Sequence, residues 1–321
     1  MFDLTQLEHA QEIVAAAMPP TPAHAWPLLS ERLGASAVVK HENHTPTGAF
    51  KVRGGLVYVD RLKRERPNTA GLISATRGNH GQSLAFAASR YRIPVTIYVP
   101  HGNSVEKNAA MRALGAELIE SGHDFQAALE AAAVIARDRG WHFMPSFHPM
   151  LVRGVASYSL ELLRAVPDLQ TLYVPIGLGS GICGAIAVRD ALGLATDIVG
   201  VVSAAAPAYA RSLEAGHAVS CEATTRIADG VACRTPVEAA LDTIRRGVER
   251  VVEVSDDEVE TAMRALFEDT HNVAEGAAAA GLAALLRERG RSAGQSVGVI
   301  LTGANVDADQ FARVLSATEA P

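Results

Sequence analysis

Cysteine is scarce in this chain, which has three cysteines in 321 residues, at positions 183, 221 and 233. None forms a CxxC pair and none has the spacing of metal ligands, so the sequence suggests neither a disulfide framework nor a zinc knuckle. Reduced thiols of this kind are typical of a cytoplasmic protein, and we expect a cytoplasmic location.

Long apolar runs and an excess of basic residues are also missing. No segment approaches the roughly 18 apolar residues of a membrane span, and residues 1–20 lack the sustained apolar stretch of a secretion signal. The formal net charge is -6, whereas proteins that bind a phosphate backbone usually carry a basic excess. We therefore expect neither a membrane nor a nucleic acid as partner.

The chain does have a regular alternation of strand-like and helical segments, which is typical of βαβ units around a parallel sheet. The predicted strands cover residues 37–40, 71–74, 94–99, 171–175, 198–203 and 297–302. The length of 321 residues exceeds the roughly 250 at which a single core usually divides. The sequence therefore predicts an α/β protein with two packed lobes.

Two glycine-bearing turns lie between a predicted strand and a predicted helix. One is Gly78 to Gly81, before the helix QSLAFAAS, and the other is GLGSGICG at 177–184, before AIAVRDAL. Backbone N–H groups at such a junction can bind an anion such as phosphate. Gly179, Gly181 and Gly184 also fit GxGxxG, but the next strand ends in VSAA without the carboxylate of a dinucleotide site. A purely structural turn remains an alternative.

A lysine lies among glycines in the stretch GAFKVRGG, residues 48–55. Lysine is usually solvated, and a surface position is the alternative for Lys51. Phe50 offers a flat face to a ring or fills core, and Gly48 and Gly54 allow another group to approach closely. A desolvated amine has a lowered pKa that suits Schiff-base formation. An aldehyde cofactor with a phosphate tail would explain the lysine and both turns together.

Four motifs in this chain resemble those of the pyridoxal-phosphate enzymes of fold type II, in particular the serine/threonine dehydratase group related to serine racemase. The matching segments are KHENHTPTGAFKVRG (40–54) for the cofactor lysine, TRGNH (76–80) for the substrate carboxylate, GLGSG (177–181) for the phosphate cup and LTGAN (301–305) for the pyridine nitrogen. They follow the family order and span nearly the whole chain.

The resemblance implies a tryptophan synthase β-like fold, with two open twisted sheets and flanking helices. A small substrate-carboxylate domain would comprise residues 66–145. The large domain that binds pyridoxal 5'-phosphate would comprise residues 1–65 and 146–321. The cofactor would lie between them, and relatives of this group are usually dimers, so we expect a homodimer.

The resemblance also implies a role for each matched residue. Lys51 would bond the cofactor covalently and serve as the catalytic base, beside Phe50. Asn79 would bond the ring 3-oxygen and Thr302 would face the pyridine nitrogen. The phosphate would be held by the backbone of Gly177, Leu178, Gly179, Ser180 and Gly181. The substrate carboxylate would be bound by Thr76, Arg77, Gly78, Asn79 and His80.

The implied activity is that of an ammonia-lyase, which removes water from L-threonine or L-serine to give a 2-oxo acid and ammonia. A neutral hydroxyl at Thr302 cannot keep the pyridine nitrogen protonated, so the ring is a weaker electron sink, which favours prompt loss of the β-leaving group. Arg77 stands where serine racemase has a serine, so racemisation loses its usual second base.

Several alternatives stay open in the sequence. Arg77 either points inward, where it would bind a second anionic group and admit hydroxyaspartate-like substrates, or faces solvent or a carboxylate such as Glu42. A bulkier substrate such as phenylserine and a serine racemase-like activity are further alternatives. Glu275 either lies near the ring or is the first-turn acid of the helix GAAAAGLAAL. Residues 204–210 carry no acid where some relatives hold a divalent cation, so we expect no metal. A non-catalytic binding protein remains a rival on the same scaffold.

Overall fold

The structure is a computed structural model that describes residues 2–317. Its strands are β1 Ala23–Ala25, β2 Ser36–His41, β3 Leu72–Ala75, β4 Val95–Val99, β5 Glu117–Glu120, β6 His142–Phe143, β7 Thr171–Pro175, β8 Asp197–Ser203, β9 Arg250–Val254 and β10 Ser296–Leu301. Its α-helices are α1 Leu4–Ala15, α2 Pro27–Leu33, α3 Lys51–Glu65, α4 Asn79–Ser89, α5 Val105–Ala113, α6 Phe125–Arg139, α7 Pro149–Ala165, α8 Ser180–Leu192, α9 Ala208–Ala215, α10 Glu238–Gly247, α11 Asp256–Thr270, α12 Gly276–Arg287, α13 Arg289–Ser292 and α14 Ala308–Ser316.

The strands form two separate sheets. The larger has the order β1-β2-β10-β7-β8-β9 and is parallel except for β1, which pairs antiparallel with β2. The smaller has the order β5-β4-β3-β6 and is parallel throughout. The predicted α/β class is confirmed, and all strands of the smaller sheet fall within residues 72–143. The domain bounds at 66–145 stay a prediction.

All six predicted strands are present, and their ends agree with the prediction within one residue. The four that the sequence did not reveal are β1, β5, β6 and β9, and each lies at an edge of its sheet. Their residues are mostly half-buried or exposed, whereas β3 and β4 are buried throughout. An edge strand lacks the continuous apolar run that marks a central parallel strand.

Both helices after the glycine turns begin earlier than the sequence predicts. The α4 helix begins at Asn79 rather than Gln82, and α8 begins at Ser180, so the predicted turns are shorter. Gly184 lies inside α8, where an added Cβ would lie 3.0 Å from Ala156 Cα on α7. Such helical glycines allow close packing of neighbouring helices, and glycine alone therefore does not mark the end of the turn.

The segment that carries Lys51 is fixed by a buried ion network. Arg53 and Glu42 are both fully buried, and Arg53 Nε donates to Glu42 Oε2 at 2.6 Å. The same guanidinium donates to Glu161 Oε1 at 2.7 Å, and Lys40 Nζ donates to Glu161 Oε2 at 2.5 Å. The network joins β2, α3 and α7, so the first turn of α3 has one position relative to the large sheet.

Candidate active site

Lys51 is the first residue of α3, and its half-buried side chain reaches the start of α8. Its Nζ donates to Ser180 Oγ at 3.2 Å and lies 4.8 Å from the centroid of the Phe50 ring. Burial lowers the pKa of the Lys51 amine to about 8, although the charge of Glu275 acts in the opposite direction. A larger neutral fraction near neutral pH makes this amine a better nucleophile and base.

The chain has four lysines, so Lys51 can be compared with every other one. Lys40 and Lys107 are each bonded to a carboxylate, at 2.5 Å and 3.0 Å respectively. Lys63 donates to a backbone carbonyl near the surface at 2.5 Å. Lys51 alone has a side-chain hydroxyl as its bonded partner, which leaves it the lysine best placed to form a covalent bond.

Residues 177–181 form the turn between β7 and α8, together with the first residues of α8. Gly179 has a φ of +98°, and a Cβ there would lie 2.8 Å from Ala240 Cβ. At Gly177 a Cβ would overlap the carbonyl oxygen of Gly230. Gly179 precedes α8 as its N-cap, and no described side chain caps the helix. The first N–H groups of α8 therefore lie free for an anion next to Ser180 and Lys51.

Asn79 is the first residue of α4, and its side chain makes hydrogen bonds to two residues in loops of the large sheet. Its Nδ2 donates to Glu275 Oε1 at 2.6 Å, and its Oδ1 accepts from Asn305 Nδ2 at 2.8 Å. Asn305 also donates to the Thr47 carbonyl at 2.9 Å. Asn305 has no assigned role in the sequence interpretation, although it closes the LTGAN motif.

Glu275 stands directly before α12 but makes no capping hydrogen bond there. Its side chain turns into the cleft, where Oε1 bonds Asn79 and Oε2 lies 3.5 Å from Lys107 Nζ. Burial raises the pKa of Glu275, and the charge of Lys107 opposes that rise. The side chain therefore lies in the cleft and does not cap α12, and its closeness to the cofactor ring stays a prediction. Lys107 itself belongs to no motif and was not predicted.

Residues 76–80 connect β3 to α4. Thr76 Oγ1 accepts from the Gly78 N–H at 3.0 Å, and a Cβ at Gly78 would lie 2.5 Å from Lys107 Cδ. No side chain caps α4 among the described residues, so its first N–H groups are available to a carboxylate. Burial, aided by the charge of Lys51, lowers the pKa of His80 to about 3. His80 is therefore neutral, and its Nε2 has no bonded partner within residues 2–317.

Arg77 is exposed, while the residues on either side of it are buried. The pairing with Glu42 that the sequence offered is wrong, because Glu42 is fully buried and bonded to Arg53. Between residues 2 and 317 the Arg77 guanidinium has no ion-pair partner within 4.0 Å. The Arg77 guanidinium is therefore available to bind an anion from solution.

Thr302 follows β10 directly and is 6% exposed. Its carbonyl accepts from the Phe50 N–H at 2.9 Å, and the Ala304 N–H donates to the Gly48 carbonyl at the same distance. Phe50 packs edge-to-face on Tyr158 with 5.9 Å between centroids, so its ring fills core as well as flanking Lys51. The lysine segment and the predicted pyridine segment therefore lie side by side.

The structure thus brings the four predicted motifs together at one cleft between the two sheets. A small molecule with an aldehyde and a phosphate fits the residues present, because Lys51 lies within 3.2 Å of a serine at an uncapped helix start. Two further buried atoms belong to this site: His80 Nε2 has no hydrogen-bond partner in the described part of the chain, and Glu275 Oε2 has only its ion-pair contact with Lys107.

None of the helices within 2–317 has the length and apolarity to cross a membrane. The same residues contain no group of three or more His, Cys, Asp or Glu side chains arranged to hold a metal ion.

Relatives of known activity share most of this chain. An L-threonine ammonia-lyase of Geobacter sulfurreducens is 38% identical over 280 residues, which cover 87% of this chain and 69% of that protein. An L-threo-3-hydroxyaspartate ammonia-lyase of Saccharomyces cerevisiae is 32% identical over 300 residues, covering 93% of this chain and 92% of that protein. The crystal structure of a T.th. threonine deaminase is 31% identical, with a TM-score of 0.88, and covers 95% of this chain and 99% of that one.

A family model described as pyridoxal-phosphate dependent enzyme matches residues 14–303. That range contains the lysine segment, the carboxylate loop and the glycine turn in full, and it ends inside the LTGAN motif. The two-sheet architecture expected from the resemblance is confirmed by the superposition on the deaminase. The chain belongs to the pyridoxal-phosphate-dependent enzymes, and pyridoxal 5'-phosphate is its cofactor.

Proposed function

We propose that this enzyme is an ammonia-lyase that removes water from a β-hydroxy amino acid, with L-threonine and L-serine as its substrates. The observation that carries the proposal is the Lys51 amine, with its lowered pKa, bonded to Ser180 at the uncapped start of α8. The relatives named above as threonine ammonia-lyase and threonine deaminase support the same reaction.

Each predicted residue has a place in this proposal. Bound pyridoxal 5'-phosphate supplies an aldehyde for amines and an electron-withdrawing ring that acidifies the substrate's Cα hydrogen. Lys51 would bond that aldehyde, beside Phe50. Asn79 would bond the ring's 3-oxygen and Thr302 would face its nitrogen. The phosphate would be bound by the backbone of residues 177–181.

Lys51 would also move the proton that starts the elimination. With its amine free, Lys51 would act as the general base that removes the substrate's Cα hydrogen. Its lowered pKa leaves more of it neutral at neutral pH than an exposed lysine would have. The β-hydroxyl would leave with a proton as water, and hydrolysis of the enamine product by one water molecule would give a 2-oxo acid and ammonia.

The substrate carboxylate would be bound at the start of α4. The free N–H groups there, together with Thr76 and Gly78 and neutral His80, form a site for an anion. Because Asn79 is the first residue of α4, the same helix would hold both the substrate carboxylate and the 3-oxygen of the cofactor ring.

A second candidate substrate is hydroxyaspartate, an acidic β-hydroxy amino acid. Two observations favour it: the exposed Arg77 charge beside the carboxylate loop, and the relative named as a hydroxyaspartate ammonia-lyase. Racemisation is disfavoured, because an arginine at position 77 stays protonated and cannot serve as a second base. Phenylserine remains the bulkier alternative, and a non-catalytic binder would need no such amine beside an anion site.

Ammonia and 2-oxo acid release from L-threonine, L-serine, L-threo-3-hydroxyaspartate and phenylserine tests these alternatives. We expect turnover of threonine and serine by the wild-type enzyme and none by Lys51→Ala. Arg77→Ala is the matched control. If this variant loses turnover of hydroxyaspartate but keeps turnover of threonine and serine, Arg77 recognises the second carboxylate and hydroxyaspartate is the substrate. Absence of ammonia release from all four compounds, with cofactor bound, would contradict the proposal.

We also propose that the enzyme is a homodimer that works in the cytoplasm, as the resemblance and the cysteine usage suggest. Sedimentation velocity on the holoenzyme tests the first part, with twice the chain mass of 33.7 kDa expected. A single species at the chain mass would contradict it. Fractionation of the source cells followed by detection of the protein tests the second part.

A further inference from the structure

Tyr209 lies beneath the glycine turn and has no assigned role so far. It belongs to α9, is 1% exposed, and its hydroxyl lies between two other segments. The hydroxyl donates to the Leu178 carbonyl at 2.9 Å and accepts from the Val237 N–H at 3.2 Å. One oxygen therefore connects the turn, α9 and the start of α10.

The bond to Leu178 fixes the peptide plane that matters for anion binding. In a trans peptide the C=O of one residue and the N–H of the next point in opposite directions. With the Leu178 carbonyl held toward Tyr209, the N–H of Gly179 is directed away from Tyr209. The turn needs this restraint, because the glycines at 177 and 179 leave its backbone many accessible conformations.

The hydroxyl is also a permanent donor. Burial raises the pKa of Tyr209 well above its ordinary value, so the oxygen keeps its hydrogen near neutral pH. A Cβ at Gly179 would lie 3.3 Å from the Tyr209 hydroxyl, so the two residues are packed closely as well as connected through Leu178.

We propose that Tyr209 is a positioning residue that holds the glycine turn in its anion-binding shape and so sets the affinity for the cofactor's phosphate without touching it. The inference rests on the proposed role of residues 177–181 as the phosphate cup.

The test is the dissociation constant of the cofactor for the apoprotein, measured by absorbance titration. Tyr209→Phe removes one oxygen and keeps the ring. We expect the dissociation constant for pyridoxal 5'-phosphate to rise about 3- to 10-fold, the size of one lost hydrogen bond. Pyridoxal, which has no phosphate, should bind Tyr209→Phe as it binds the wild type.

Tyr173→Phe is the matched control. Tyr173 is also fully buried, but its hydroxyl donates to Glu288 at 2.8 Å, away from the turn. We expect the Tyr173→Phe variant to bind pyridoxal 5'-phosphate and pyridoxal as the wild type does. Urea unfolding of both apoprotein variants shows whether the fold is kept.

Three results would overturn the inference: wild-type affinity for pyridoxal 5'-phosphate in Tyr209→Phe, an equal loss of affinity for pyridoxal, or loss of the fold in Tyr209→Phe alone. The Gly179→Ala variant distinguishes a wrong role for Tyr209 from a wrong assignment of residues 177–181 as the phosphate cup. If Gly179→Ala also kept full affinity for pyridoxal 5'-phosphate, the phosphate would be bound elsewhere and the proposed cup would be wrong.

Discussion

At the scale of single residues, the charge on Lys51 is the most informative property of the site. Burial lowers its pKa from 10.5 to about 8. Below pH 8 the amine is protonated in both the folded and unfolded chain, and the full penalty of burying the charge applies. Between pH 8 and 10.5 the folded protein has released the proton and the unfolded chain has not, so stability from this residue rises with pH.

Lys51→Met should therefore stabilise the apoprotein at neutral pH. We expect the free energy of unfolding in urea to increase by about 2 kcal/mol at pH 7 and by much less near pH 10. Lys63→Met, at a lysine near the surface, is the control and should show no such pH dependence. Equal stability of Lys51→Met and wild type at pH 7 would mean that the amine is well solvated.

Lys107 should stabilise the folded protein by compensating the buried negative charge of Glu275. Both side chains are buried, and their charged atoms lie 3.5 Å apart. Lys107→Met leaves a buried carboxylate without a cation, and breaking such a pair costs about 3 kcal/mol. The loss should become smaller as the pH falls, because burial raises the pKa of Glu275 and protonation removes its charge.

The double variant Lys107→Met with Glu275→Gln is the control for that interpretation. It should recover most of the lost stability at pH 8, as measured by urea unfolding. If it stays as unstable as the single variant, the role of Lys107 is packing against Gly78 and not charge compensation.

How far the sequence predicts single residues depends on the separation of their partners. The motifs specify Lys51, Asn79 and Thr302 because each lies in a recognisable local pattern. Lys107 could not be found, because its partner Asp229 is 122 residues away and neither lies in a motif. Tyr209 is equally hidden, since its bonds to the turn form only when α9 and α10 pack together.

At the scale of elements, glycines decide how closely the helices that carry the site approach each other. A Cβ on Gly154 in α7 would overlap the Arg53 carbonyl, two residues after Lys51. Gly154→Ala should destabilise the protein by about 1–3 kcal/mol, the usual effect of overpacking. It should also weaken cofactor binding, because α3 has to move.

Gly290→Ala is the control for the same change in an open position. Gly290 lies in α13, and none of the described atoms comes within 4 Å of an added Cβ there. Alanine there should leave stability equal or slightly higher, because it favours helix. Equal unfolding midpoints for the Gly154 and Gly290 variants would contradict the close packing of α3 on α7.

The elements also show where sequence reasoning fails. For central parallel strands such as β4, with every residue buried, the sequence predicts the ends within one residue. The edge strand β5, with its pattern of exposed and half-buried residues, carries no comparable signal. The sequence places the start of α8 too late because Gly181 and Gly184 are helical, and the neighbours that require glycine there lie on other elements.

At the scale of the whole molecule, the cleft between the sheets is bridged by polar contacts. Lys107 reaches Asp229 at 3.0 Å, Asn79 reaches Glu275 at 2.6 Å, and Ser104 bonds Asp307. Each contact joins the segment proposed as the small domain, residues 66–145, to the rest of the chain. These are the contacts that a relative movement of the two lobes would change.

We predict that a bound substrate analogue closes the cleft and excludes water from the reacting atoms. Small-angle scattering of the holoenzyme should show a smaller radius of gyration with the analogue than without it. The Lys51→Ala protein reconstituted with cofactor serves as a control for ligand-independent change. Identical scattering profiles with and without the analogue would contradict closure.

The central claim is that Lys51, and no other lysine, bonds the cofactor. Reduction of the holoenzyme with borohydride, followed by digestion and peptide mass spectrometry, tests it directly because the chain has only four lysines. We predict that the reduced cofactor is attached to the peptide containing Lys51 and absent from those containing Lys40, Lys63 and Lys107. Attachment to any of these three, or an unmodified Lys51 in protein that retains its cofactor, would contradict the account.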